Sequence, residues 1–142
     1  MDMDKLFDIA GKKVIVTGGS RGLGKGMAKG FHDAGCEVVI MGTNEKEKAT
    51  AEELSTEDNK VHAVICDFSN TTDVERAFYE AIDFLGGDLD VLVNNAGTQI
   101  RHPAAEFPLE DWQKVLNINL TAAFILTQLA GKIMLPKGYG KI

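Results

Sequence analysis

Val14-Ile15-Val16-Thr17-Gly18-Gly19-Ser20-Arg21-Gly22-Leu23-Gly24 is an apolar run that breaks into glycines and then enters a helical segment. The β-branched residues read as a buried strand, and the glycines at 18, 22 and 24 mark a tight strand-to-helix turn. Gly18 permits the sharp exit from the strand. Gly22 and Gly24 let backbone approach a ligand and let the helix sit close to the sheet, while the helix N-terminus offers unpaired N–H groups to a pyrophosphate. The same glycines also suit a plain turn, but their place between the first strand and the first helix favours a dinucleotide. Gly26 and Gly30 continue at one-turn spacing, each costing about 1 kcal/mol relative to Ala, which predicts a helix face pressed against the sheet.

Outward from this stretch, Val38-Val39-Ile40, Val61 to Ile65 and Val91-Leu92-Val93 repeat the pattern of short apolar runs. Continuous Val/Ile/Leu without alternation suits strands covered on both faces. Helical segments near residues 22–34, 45–57 and 71–85 separate them, so the order is βαβαβαβ, an α/β, Rossmann-like doubly wound parallel sheet. In the order 3-2-1-4 the outer edge of Val91-Leu92-Val93 lacks a covering strand, an aggregation or strand-exchange hazard. After a loop at Thr98 to Pro108, a long helical stretch runs from about Leu109 to Leu135 and is closed by Pro136 and Gly138. Its apolar residues cover more than one stripe, so its second face is buried either within its own subunit or in a homo-oligomer contact.

Composition bounds the partners. The 142 residues carry 15 Lys and Arg against 21 Asp and Glu, a net charge of −6, which disfavours a sequence-independent grip on nucleic acid or an anionic membrane. No run reaches the roughly 20 uninterrupted apolar residues of a membrane span, and Met1-Asp2-Met3-Asp4-Lys5 is acidic where a secretion signal is basic, so the expected location is cytoplasmic. Cys36 and Cys66 read as reduced hydrophobes at opposite ends of neighbouring strands, on the order of 15 Å apart. His32 and His62 read as surface or strand-edge residues, and no spacing of His, Cys and acids suggests a metal site.

The loop from Thr17 to Gly24, Asp67 after the third strand and Asn94-Asn95-Ala96-Gly97 after the fourth together resemble the short-chain dehydrogenase/reductase family. Ile100 to Pro108 with Asp111-Trp112 further resembles the branch of 2-deoxy-gluconate 3-dehydrogenases and gluconate 5-dehydrogenases. The resemblance implies that Gly18, Ser20, Arg21, Gly22, Leu23 and Gly24 surround the cofactor phosphates and that Asp67 and Phe68 border the adenine. Asp67 can accept from the adenine amine, or act as a turn former or helix N-terminal carboxylate. Asn94 can brace adjacent strands, and Ala96-Gly97 let ribose and nicotinamide lie on bare backbone. Asn119 matches the family's catalytic asparagine, which helps hold a water in a proton relay; without the resemblance it reads as an amide satisfied inside the subunit or at a helix pair. Asn117 lies about 200° away around the helix and cannot share that role.

The cofactor is NADP or NAD. The end of the second strand, Met41-Gly42-Thr43-Asn44, has neither the acid that holds a ribose 2′-OH nor the Arg that accepts a 2′-phosphate. Arg21 either approaches that phosphate or is a solvated loop residue. Arg101 and His102 follow the fourth strand, where open sheets bind ligands, and suit a sugar-acid substrate; a solvated basic pair is the other reading. The family's Ser and Tyr-x-x-x-Lys are not among these residues: Tyr79 is followed at the fourth position by Asp83, and Tyr139 lies three residues before Ile142. The expectation is therefore a single dinucleotide-binding domain, incomplete at the start of the fifth strand. By family it belongs to an NAD(P)-dependent oxidoreductase acting on a secondary alcohol or ketone, and the 142 residues alone are inactive. The alternatives are a catalytically silent dinucleotide- or partner-binding module and an inactive truncated product.

Overall fold

A computed structural model describes residues 7–142. The acidic opening Met1-Asp2-Met3-Asp4-Lys5 lies outside the described residues. Four parallel strands, β1 (Lys13–Thr17), β2 (Glu37–Gly42), β3 (His62–Ile65) and β4 (Val91–Val93), form one sheet in the order β3-β2-β1-β4. Val14 pairs with both Val38 and Val91, and Val16 with Ile40 and Val93. Because β1 is flanked by strands reached in opposite directions, a crevice opens where the carboxyl ends of β1 and β4 diverge.

The period of two along each strand divides the core. Ile15, Val39, Met41, Val64 and Leu92 face one side, where they pack with Val74, Phe78, Leu126 and Ala130 from α3 (Thr71–Phe84) and α5 (Ala122–Lys137). Val14, Val16, Val38 and Ile40 face the other, with Ala28 from α1 (Gly22–Asp33) and Ala51 from α2 (Lys46–Leu54). Val14, Ile15 and Val16 are fully buried, as strands covered on both faces must be. Asn70 caps α3, its Oδ1 accepting from the N–H groups of Thr72 and Asp73.

Several expectations are corrected. Gly26 and Gly30 are exposed, and a side chain at either would meet nothing within 4 Å. The face of α1 on the sheet is instead Gly24, Ala28 and His32, the row about 200° around the helix. His32 is buried rather than at the surface, its Nε2 lying 3.0 Å from the carbonyl of Asn59. His62 stacks on Phe84 with ring centres 4.3 Å apart. Cys36 and Cys66 are both free and buried.

The long helix is three pieces: α4 (Leu109–Leu116), a π turn (Asn117–Thr121) and α5. Pro136 does not close it. The helix continues to Lys137 and ends on Gly138 at φ 69°, because the N–H that proline lacks costs only a bond to the carbonyl of solvent-exposed Lys132. The whole run Leu109–Lys137 has 29 residues and a mean hydropathy reaching 1.4, so by length and composition alone it could cross a membrane. Ala122, Leu126, Leu129, Ala130 and Met134 are nevertheless packed on the sheet. Its other side leaves Leu109, Trp112, Leu120, Phe124 and Leu135 exposed, so the second face is not covered by the described residues. The outer edge of β4 is engaged at one point. Leu92 N–H donates to the Lys141 carbonyl at 3.0 Å and Lys141 N–H to the Asp90 carbonyl at 2.9 Å, an isolated parallel bridge.

Candidate functional site

The glycine turn is built by two residues whose parts the sequence conceals. Thr17, buried at the end of β1, donates its hydroxyl to the Val93 carbonyl at 3.2 Å and accepts the N–H groups of Asn95 and Ala96 at 3.0 and 2.9 Å. Asn95 returns the contact, its Nδ2 donating to the carbonyls of Thr17 and Gly18 at 3.0 and 3.3 Å. Bracing of β1 against β4 therefore falls to Asn95 and not to Asn94, whose Nδ2 reaches the hydroxyl of Thr127 on α5 at 3.0 Å.

Each glycine in the turn has its own task. Gly18 adopts φ 68°, and a side chain there would press on Asn95 and Ala96. Gly24 lies so close to the Gly18 carbonyl and the Asn95 amide that no side chain fits, so it serves helix packing. Gly22, at φ 54°, faces open space: nothing lies within 4 Å of where a Cβ would stand. Arg21, Gly22 and Leu23 are exposed around it. Gly19, unmarked in the sequence, rests on Ile40 of β2.

Beyond the carboxyl end of β3, Asp67 is exposed and its Oδ1 accepts from the N–H and hydroxyl of Ser69 at 2.9 and 2.6 Å, so it does form a turn. Asp73 accepts the Asp67 N–H at 2.7 Å and the Arg76 Nε at 2.7 Å; these bonds, that of Arg76 first, hold its carboxyl below the usual carboxylate range. Phe68 is 4% exposed and its side chain belongs to the core.

Asn119 stands in the π turn, where the Ala122 N–H reaches back to the Asn117 carbonyl. Its Oδ1 accepts the Thr98 N–H and its Nδ2 donates to the Thr98 carbonyl, both at 2.8 Å. Its amide is satisfied within the subunit, and π turns of this kind recur at functional sites. A hollow of about 500 Å³ brings Arg21, Gly97, Thr98, Gln99 and Asn119 together. A second, apolar-walled cleft of about 480 Å³ is lined by Ile100, Ala104, Phe107, Trp112 and Val115 with Thr98, Gln99 and Asn119. Arg101 and His102 line neither. Arg101 bonds to Gln99, and His102 Nε2 sits 2.7 Å from Asp111 with its ring edge-on to Phe107, tying the loop to the first turn of α4.

Glu47 is a further residue that the sequence does not signal, since an acid among the charged residues 45–48 reads as solvated. It is 2% exposed and its Oε2 has no hydrogen-bond partner. Burial pushes its carboxyl above the ordinary carboxylate range, with the hydroxyl and N–H of Ser20 drawing it partly back.

A model of the short chain dehydrogenase family matches residues 12–142. The chain belongs to the short-chain dehydrogenase family. The 2-dehydro-3-deoxy-D-gluconate 5-dehydrogenase of Bacillus subtilis (strain 168) is 38% identical over 136 residues, covering 96% of this chain and 53% of that protein. The 5-keto-D-gluconate 5-reductase of Escherichia coli (strain K12) is 37% identical over 142 residues, covering 99% of this chain and 55% of that one. Among solved structures, a short chain dehydrogenase from Burkholderia cenocepacia J2315 in complex with NADP is similar at a TM-score of 0.83 and 30% identity, over 89% of this chain and 52% of that chain. This short-chain dehydrogenase sequence thus spans about half the length of the relatives it matches.

Proposed function

We propose that this chain is the dinucleotide-binding half of a short-chain oxidoreductase that interconverts a secondary alcohol and a ketone on a sugar acid, with NADP or NAD as hydride carrier. The observation that carries the reading is the open cradle at Gly22: a left-handed residue at the mouth of a helix, with unfilled space where a side chain would stand. It opens at the carboxyl edge of the sheet, beside the hollow shared by Arg21, Gly97 and Asn119. That is the shape a pyrophosphate needs if it is to touch the N–H groups of α1.

The remaining residues take their parts from this placement. Gly18, Ser20, Arg21, Gly22, Leu23 and Gly24 form the phosphate turn. Asp67 offers its second carboxylate oxygen to the adenine amine, Asn94 holds the wall formed by α5, and Ala96 with Gly97 forms the floor for ribose and nicotinamide. The nicotinamide, when bound, supplies the hydride acceptor or donor. Asn119, clamped to Thr98, fixes the π turn at the edge of this floor and acts in proton relay there. The apolar-walled cleft between Ile100 and Trp112 receives the substrate, with Arg101 on its outer loop. The sugar-acid class is supported by the names of the Bacillus subtilis and Escherichia coli relatives, and NADP by the Burkholderia cenocepacia complex. Trp112, Leu120 and Phe124, exposed at four-residue intervals or multiples of them, support a homo-oligomer through this helix.

The test is a nicotinamide absorbance assay of the full chain with gluconate and keto-gluconate sugar acids and either cofactor. These 142 residues alone should bind cofactor without turnover, and turnover of a sugar acid is expected of a polypeptide that joins them to the family's Ser and Tyr-x-x-x-Lys. Cofactor binding with no turnover of any such substrate by that longer polypeptide would favour a catalytically silent dinucleotide module, and absence of cofactor binding would overturn the reading.

A further inference from the structure

The glycine turn is exposed at Arg21, Gly22 and Leu23, while the two residues before them are held from the opposite side. Gly19 is buried on Ile40 of β2. Ser20 is held by Thr50, which lies on the buried face of α2 and is 5% exposed. A threonine within a helix commonly bonds a carbonyl of its own preceding turn. The Thr50 hydroxyl instead donates to the Ser20 carbonyl, 30 residues earlier in the chain, at 3.2 Å. Three residues further along α2, Glu53 pairs with the Lys25 ammonium of α1 at 2.8 Å, a second and exposed tie between the two helices.

The Thr50 hydroxyl fixes more than one bond. The Ser20–Arg21 peptide is trans and planar, so the Ser20 carbonyl and the Arg21 N–H point in opposite directions. With the carbonyl turned in toward α2, the N–H is turned away from it, to the exposed side of the turn. Arg21 is the extended residue from which α1 starts, and its N–H donates to no oxygen among the described residues. Reversal of this one peptide would exchange the two groups. An anion at the turn would then meet the negative end of a carbonyl where it now finds a hydrogen-bond donor.

The geometry points to Thr50 as a positioning residue for the dinucleotide pyrophosphate: by holding the Ser20 carbonyl, it keeps the Arg21 N–H presented to the phosphates and the competing oxygen turned away from them. The inference rests on the dinucleotide reading above. Thr50 is buried under the turn, needs no contact with the ligand and acts only through the Ser20–Arg21 peptide. Its loss is therefore felt by ligands that carry phosphate and not by the nucleoside alone.

Dissociation constants of NADH, ADP and adenosine on the full chain test it, the first from nicotinamide fluorescence and the other two from NMR titration. Thr50→Val, which keeps the shape and lacks the hydroxyl, should raise the NADH and ADP constants by about five- to tenfold and leave the adenosine constant within about twofold of native. Thr50→Ser should return the ADP constant to within about twofold of native. The native chain supplies a check that needs no variant: the Arg21 amide resonance should move on addition of ADP and stay in place with adenosine. An unchanged ADP constant in folded Thr50→Val, an equal loss for ADP and adenosine, no recovery in Thr50→Ser, or an Arg21 amide indifferent to ADP would overturn the positioning role. Failure of the native chain to bind NADH at all would instead overturn the dinucleotide reading, and the positioning role with it.

Discussion

Asn119 and Thr98 hold each other reciprocally, the Asn119 Nδ2 donating to the Thr98 carbonyl and its Oδ1 accepting the Thr98 N–H, each at 2.8 Å. The pair fastens the loop after β4 to the π turn in the long helix, and thereby sets the wall between the two hollows. It also crowds Gly97, where a Cβ would stand 3.3 Å from Asn119 Oδ1 and require the amide to give by a few tenths of an ångström.

Asn119→Ala removes both bonds at once and leaves the Thr98 backbone to water. The expected result is a loss of about 1–2 kcal/mol in stability and faster hydrogen exchange at the Thr98 amide, with the strands unaffected. Unchanged exchange at Thr98 would show that the loop is held by other contacts.

Gly26→Ala and Gly30→Ala should each raise stability, by up to about 1 kcal/mol, because both positions are exposed, helical and open. Thermal melts of the single and double variants check this, and the effects should add. The contrasting variant Gly24→Ala should destabilise strongly, since its methyl would fall on the Gly18 carbonyl.

These glycines also show what the sequence could and could not tell. The order of strands and helices followed from apolar runs that are continuous because both faces of the sheet are covered, and the tight turn from β1 into α1 followed from glycines placed after a strand. The face of α1 did not follow, because two glycine rows interleave on one helix and only packing reveals that 24, 28 and 32 face the sheet. Asn94 and Asn95 are chemically identical neighbours, and the direction of a side chain at a strand end decides which one braces β1. Glu47 was hidden because its burial depends on the absence of a side chain at Gly42, five positions away.

Thr17→Val, which keeps the shape and removes the hydroxyl, should cost about 2–3 kcal/mol, since it strands the buried N–H groups of Asn95 and Ala96 and the Val93 carbonyl. Thr17→Ser should restore most of this loss. Denaturant titration of the two variants side by side distinguishes the missing hydrogen bonds from a loss of packing.

The Cys66 thiol is pushed up to about 12 by burial, with Asp73 adding to the effect. The folded protein should therefore hold Cys66 as an unreactive thiol at pH 8, and thiol labelling should proceed only as fast as unfolding. In the unfolded chain a thiol ionises near pH 8.5, so the unfolded state binds fewer protons above that pH and stability should fall as pH rises from there toward 12. Rapid stoichiometric labelling of Cys66 under native conditions would contradict its burial.

The central claim is that the turn around Gly22 receives a dinucleotide, and the most direct measurement is the affinity of the full chain for NADH and NADPH before and after Gly22→Val, with a thermal melt to verify that the variant is folded. Saturable binding by the native chain, lost in the folded variant, is the predicted result. Equal affinity in the two, or no saturable binding by the native chain, would contradict the account.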